Sequence, residues 1–160
     1  LCGGKAYALL EKFFREFVKE ATGQEKPLYK TLEKLAGDGK ASCTGRENRK
    51  KLQIETTFDG TRVHPEQTGS ITNLSTDNFT PAAFVYGTLE GMSRELYQMY
   101  QTIQNGTGIQ IKRMIGSGNG LRKNPVLCEI VEEMFGVKLA LAECEEEAAT
   151  GAALSSMQQD

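Results

Sequence analysis

Apolar residues near the start of the chain recur in phase. Ala6, Leu9, Leu10, Phe13, Phe14, Phe17 and Val18 follow three- and four-residue steps, with Lys5, Glu11, Lys12, Arg15, Glu16 and Lys19 opposite. This spacing predicts an amphipathic helix, ended by Thr22-Gly23. A second, shorter helix is predicted from Leu28 to Leu35, stopped by Gly37-Asp38-Gly39. Lys40 to Lys51 is polar and basic and reads as a loop. Leu52-Gln53-Ile54-Glu55-Thr56 alternates as a half-buried strand does. Phe58 to Gln67 reads as an irregular excursion, and Ser70 to Leu74 as a short strand.

Thr80-Pro81 then supplies an N-cap and a proline at the first helical position. The long helix it opens carries Val85, Leu89, Met92, Leu96, Met99 and Ile103 at alternating steps of four and three. Gly87 and Gly91 lie one turn apart on it, each costing roughly 1 kcal/mol of helix propensity relative to alanine. They are expected where another backbone packs closely. Asn105-Gly106-Thr107-Gly108 ends this helix.

The stretch from Gln110 to Ser156 carries the functional signal. A strand over Gln110–Ile115 runs into Gly116-Ser117-Gly118-Asn119-Gly120. A helix from Asn124 to Phe135 follows, with Val126, Leu127, Ile130, Val131, Met134 and Phe135 on one face and Gly136 as its stop. Val137 to Leu141 reads as the next strand, parallel to the first. Glu145-Glu146-Glu147 then opens a helix of small residues, Ala148-Ala149-Thr150-Gly151-Ala152-Ala153-Leu154. Three glycines in five residues leave backbone N–H groups uncovered at a strand's carboxyl end, where open α/β sheets hold ligands. No repeat, low-complexity tract or clear linker interrupts the chain, and one domain is expected.

Composition is that of an ordinary soluble globular protein, with 39% hydrophobic and 25% charged residues in 160. A net charge of −2 argues against nucleic acid or an anionic membrane as the main partner. No uncharged apolar run approaches the roughly 20 residues that span a bilayer. The start Leu1-Cys2-Gly3-Gly4 has neither an initiator Met nor a signal-peptide pattern, as expected of a piece of a longer polypeptide. Cys2, Cys43, Cys128 and Cys144 show neither C-x-x-C spacing nor a disulfide framework, which fits a reducing cytoplasm.

The chemistry-bearing residues each have a plainer reading. The acids Glu145, Glu146 and Glu147 suit a helix N-terminus, where the dipole stabilises each by roughly 0.3–1 kcal/mol, better than a metal site. His64, the only histidine, sits in a proline-containing loop, so a solvated or structural role is expected. Arg46 to Lys51 is basic, but no aromatic residues interleave for base stacking. Asn124, just before Pro125, is either an N-cap or an adenosine-binding side chain. One amide offers donor and acceptor, so both can hold.

Two ordered blocks resemble the end of the FGGY carbohydrate kinases: Gly116-Ser117-Gly118-Asn119 through Asn124-Pro125, and Glu147-Ala148-Ala149-Thr150-Gly151-Ala152-Ala153-Leu154. Gly69-Ser70-Ile71-Thr72-Asn73-Leu74 and the helix with Leu89-Glu90-Gly91 sit where that family has a short strand and its Glu-Gly helix. Within the family, Met114-Ile115-Gly116-Ser117-Gly118 and Thr72-Asn73-Leu74-Ser75 look most like sedoheptulokinases. In one departure, Ser117 replaces the usual second loop glycine, so a Cβ sits where bare backbone is expected.

The resemblance implies an α/β fold of the actin-like ATPase (ribonuclease H-like) type, a mixed sheet with helices on both faces. It implies that residues 1–160 are the C-terminal, ATP-side lobe of a two-lobed sugar kinase. Gly116, Ser117, Gly118, Asn119, Asn124 and Gly151 would contact the nucleotide. The cofactors implied are ATP and Mg²⁺, the metal held mainly through the nucleotide and the other lobe. Phosphoryl transfer also needs a base and two further phosphate loops, which that family carries outside this stretch. This segment alone is therefore expected to be inactive. Its implied partners are the N-terminal lobe and a sugar. Two rivals are a non-catalytic actin-fold module that binds nucleotide or protein, and a plain α/β interaction domain in which both blocks are packing.

Overall fold

A computed structural model of the chain describes residues 3–43, 51–61 and 64–142. They fall into two compact units, divided between Ile109 and Gln110. No composition shift marks that division in the sequence.

The first unit holds α1 (Gly3–Thr22), α2 (Tyr29–Cys43), β1 (Gln53–Glu55), β2 (Ser70–Thr72) and α3 (Pro81–Thr107). β1 and β2 pair antiparallel, with Ile54 opposite Ile71. The alternation in β1 holds: Leu52, Ile54 and Thr56 are buried while Gln53 and Glu55 face out. Ala6, Leu28, Leu32, Ala36, Leu52, Ile54, Val85, Tyr86 and Leu89 form the core. β2 is shorter than expected. Asn73 ends it with φ 61, its side-chain amide donating to Lys51 O at 3.2 Å.

α3 begins and ends where its signals say. Thr80 Oγ1 accepts from Ala83 N at 3.2 Å, Pro81 occupies the first turn, and Gly108 closes the helix at φ 70. The paired glycines divide in role. A Cβ on Gly91 would stand 2.1 Å from Ile54 O, so backbone meets backbone there. A Cβ on Gly87 would meet only the Ile54 and Leu52 side chains, at 3.4 Å and beyond.

Two further expectations fail in this unit. α2 does not stop at Gly37-Asp38-Gly39 but runs on to Cys43, taking in residues expected to be loop. Gly39 is there because α3 crosses it: a Cβ would lie 2.4 Å from Ala82 O and 2.6 Å from Tyr86 Cβ. On α1, Glu11 was expected on the solvent face, yet it is 4% exposed, while Phe13 and Phe17 are 65% and 69% exposed. The packed face is rotated because Glu11 has a fixed task. Its carboxylate accepts from Leu28 N at 3.0 Å and from Arg15 Nε at 3.3 Å. That satisfies a buried backbone donor where the chain enters α2, a group that would otherwise be costly to leave unpaired.

The second unit holds β3 (Met114–Gly116), α4 (Asn119–Arg122), α5 (Pro125–Phe135) and β4 (Leu139–Leu141). β3 and β4 are parallel, with Met114 opposite Leu139 and Gly116 opposite Leu141. α5 joins them, burying Leu127, Ile130 and Val131 and ending at Gly136 with φ 65. β3 is shorter than the Gln110–Ile115 strand expected, and α4 was not expected at all. Parallel and antiparallel pairing thus occur in separate sheets, one in each unit. Gly151, the acidic run before it and the alanine-rich block lie outside the described residues.

Candidate functional site

The end of β3, the two-residue link Ser117-Gly118 and the turn of α4 bring Gly116, Ser117, Gly118, Asn119 and Asn124 into one short stretch of the second unit. Its three glycines serve different ends. Gly116 is buried at the end of β3, and a Cβ there would meet Leu121 Cδ1 at 2.7 Å and Leu139 Cδ1 at 3.0 Å. Its smallness lets two leucines close over the strand end. Gly118, the residue before α4, has φ 92 and ψ 157, a conformation L side chains rarely adopt. Gly120 is exposed, is not at positive φ, and has nothing within 4 Å of a Cβ position.

Around these glycines the loop is open. Ser117 and Asn119 are exposed, and nothing stands within 4 Å of a Cβ built on Gly118. The sides of Gly118 and Gly120 where a Cβ would stand are therefore uncovered, as close approach by a ligand requires, while the Gly118 carbonyl accepts from Arg122 N at 3.2 Å. From Gly116 to Pro125 the only charged side chains are Arg122 and Lys123, both basic. Bare backbone and basic charge together suit a phosphorylated ligand.

Asn124 has the clearest local role. It is 5% exposed, and its Oδ1 accepts from Leu127 N at 3.1 Å, capping α5. Its own N–H donates to Leu121 O at 3.3 Å, and its carbonyl accepts from Cys128 N at 3.3 Å. The cap uses the amide oxygen and leaves the amide nitrogen out of it. Both readings of this residue thus remain compatible with its geometry.

Cys128 lies beneath the loop, with its Sγ 3.2 Å from Leu121 O as donor. Burial, with the Glu132 carboxylate as a second cause, pushes its thiol pKa up, so it stays a neutral thiol that braces α4 against α5. Glu132 in turn accepts from Leu139 N at 2.8 Å and Lys138 Nζ at 2.9 Å, tying the end of α5 to the start of β4. Those two donors, the backbone one first, hold its carboxyl below the ordinary range.

Chemistry-bearing residues away from the loop are quieter. The His64 carbonyl accepts from Thr61 N and Gln67 N, and its exposed ring sits 3.4 Å from Glu66. Asp59 pairs with Lys5 at the surface. Arg62 lies outside the described residues. Among the described residues no three His, Cys, Asp or Glu side chains gather as a metal site. The loop contributes no carboxylate, so it provides no ligand set of its own for Mg²⁺. Lys123, which the sequence reading did not single out, adds a basic residue within one turn of the loop.

Fold and loop define an α/β domain with a glycine loop after a parallel strand. The model of the FGGY family of carbohydrate kinases, C-terminal domain, matches residues 4–158, and the chain belongs to that family. Two similar solved structures are xylulose kinases. The one from Rhodospirillum rubrum is 22% identical with a TM-score of 0.64, over 89% of this chain and 26% of that one. The one from Bifidobacterium adolescentis is 23% identical with a TM-score of 0.63, over 86% and 26%. This chain thus spans about a quarter of the length of those kinases. No curated protein matches it.

Proposed function

We propose that the chain is the ATP-side lobe of a two-lobed kinase that phosphorylates a sugar hydroxyl, with the loop from Gly116 to Asn124 contacting the nucleotide. One observation carries this reading: the family match coincides with a glycine loop whose backbone lies open at the carboxyl end of a parallel strand. The Gly118 and Gly120 backbone, the Ser117 hydroxyl and the Asn119 amide are the groups offered to the nucleotide, with Lys123 supplying positive charge. ATP, when bound, supplies the phosphoryl group. This lobe's share of the work is to hold and orient, which is most of what catalysis of phosphoryl transfer asks of a protein. The base and most sugar contacts belong to the other lobe, its implied partner.

The acceptor is read as a ketose. The blocks Met114 to Gly118 and Thr72 to Ser75 favour sedoheptulose within that class, and an acceptor panel with sedoheptulose and xylulose side by side tests it. A cytoplasmic setting fits Cys43 and Cys128, neither of which is disulfide-bonded. Among the described residues no helix is long and apolar enough to cross a membrane.

Gly118→Val is a poor probe of the loop, because φ 92 strains any side chain there. Gly120→Leu is the better one, since the protein leaves that Cβ position open. In the intact kinase it should raise the KM for ATP well above its effect on the KM for sugar, with little change in Tm. Equal effects on both substrates would mean that the loop only supports the fold. Residues 1–160 expressed alone should release no ADP in response to sugar.

A further inference from the structure

The chain contains two Asn-Gly pairs, Asn105-Gly106 and Asn119-Gly120, and the fold treats them differently. Asparagine followed by glycine is the pair most prone to intramolecular attack, because no side chain hinders the following nitrogen. Asn105 and Gly106 lie in the last turn of α3, a helix of 27 residues. The Gly106 N–H belongs to the i→i−4 ladder there. Two further bonds pin that turn: Gly108 N donates to Gln104 O at 2.7 Å, and Thr107 Oγ1 donates to Ile103 O at 2.7 Å.

Asn119 and Gly120 open α4, a single turn with no side-chain cap. Its two bonds run from Arg122 N to Gly118 O at 3.2 Å and from Lys123 N to Asn119 O at 3.1 Å. The Gly120 N–H lies ahead of both, among the first donors that a helix leaves without an internal partner. Exposure does not separate the pairs, since all four residues are exposed and neither glycine has an atom within 4 Å of a Cβ position; the backbone bonding does. One isolated turn has little stability of its own, so it opens far more readily than the end of a long capped helix.

We propose that Asn119 is a site of spontaneous deamidation, selected by the fold over Asn105, and that its conversion places a new negative charge in the loop. The Gly120 backbone nitrogen attacks Asn119 Cγ. The N–Cγ bond forms as the Cγ–Nδ2 bond breaks, the amide proton leaves the Gly120 nitrogen, and ammonia departs, giving a cyclic imide. Water then opens the imide at either carbonyl, leaving an aspartyl or an isoaspartyl residue at position 119. No oxidation or reduction occurs, and one carboxylate is gained. Resting on the nucleotide reading of this loop, the new charge faces the phosphates of a nucleotide and weakens its binding. The isoaspartyl form also routes the backbone through one extra carbon at the turn that α4 must make.

The test ages the intact kinase in mildly alkaline buffer and follows both pairs by peptide mass and by enzymatic methylation of isoaspartate. The expected result is progressive conversion at Asn119 while Asn105 stays intact, and loss of most of that conversion in Gly120→Ala. Equal conversion at both pairs, or faster conversion at Asn105, overturns the proposal. ATP affinity is measured in parallel on aged protein and on Asn119→Asp, and both should bind ATP more weakly than fresh wild type. Unchanged affinity in a protein whose Gly120→Leu variant has lost ATP binding overturns the charge effect. Unchanged affinity in all three means instead that the nucleotide reading of the loop has failed, while the modification, read by mass, still stands.

Discussion

Gly91 on α3 and Ile54 on β1 meet backbone to backbone, with room for only 2.1 Å between a Cβ at position 91 and the Ile54 carbonyl oxygen. The oxygen belongs to a strand already paired to β2, so it cannot retreat without disturbing that pairing. Gly91→Ala should therefore destabilise by about 1–3 kcal/mol, the usual range for overpacking. Gly87→Ala, one turn earlier, meets only side chains at ordinary contact distance. It should be neutral or should stabilise by up to about 1 kcal/mol through helix propensity. Thermal melts of the two variants should fall on opposite sides of wild type. The reverse order would mean that α3 does not rest on β1 as described.

At Asn124 a pair of substitutions separates capping from ligand contact. Asn124→Ala removes the acceptor for Leu127 N and should cost about 1 kcal/mol, within the 0.5–2 found for lost caps. Asn124→Ser keeps an acceptor oxygen but loses the amide nitrogen. If that nitrogen reaches the nucleotide, the serine variant should melt near wild type yet show a raised KM for ATP in the intact kinase. A normal KM in the serine variant would leave Asn124 as a cap alone.

The pH dependence of the second unit should run through Glu132. Hydrogen bonds from Leu139 N and then Lys138 hold its carboxyl below the ordinary range. A group lowered on folding contributes stability that is present above its unfolded value and is lost as pH falls through its folded value. Glu132→Gln should thus be less stable than wild type at neutral pH, and the gap should close in acid, below the ordinary carboxylate range. Urea titrations at the two pH extremes measure this. A gap of equal size at both would show that the contact acts through shape and not through charge.

Much of the secondary structure was legible because its signals are local. Thr80-Pro81, Asn124-Pro125, Gly108 and Gly136 each act on backbone groups within one turn, and each lies at the helix end it was read to mark. The candidate loop was legible for the same reason, since its glycines, strand and following helix are contiguous. Gly37-Asp38-Gly39 misled because glycine has two uses. A helix stop and a close helix crossing ask for the same residue, and only the position of Ala82 O decides between them. α4 escaped notice because a single turn has no periodicity to detect.

The sequence by itself determined the caps of α3 and α5, the alternation in β1 and the family. Each depends on neighbours along the chain or on blocks in a fixed order. Only the tertiary structure decided which glycine serves which purpose and which face of α1 packs. Gly91 answers to Ile54, Gly39 to Ala82, and Glu11 to the backbone of Leu28. In each case the partner comes from another element, and hard-core repulsion or an unpaired buried donor sets the demand only once the elements have met.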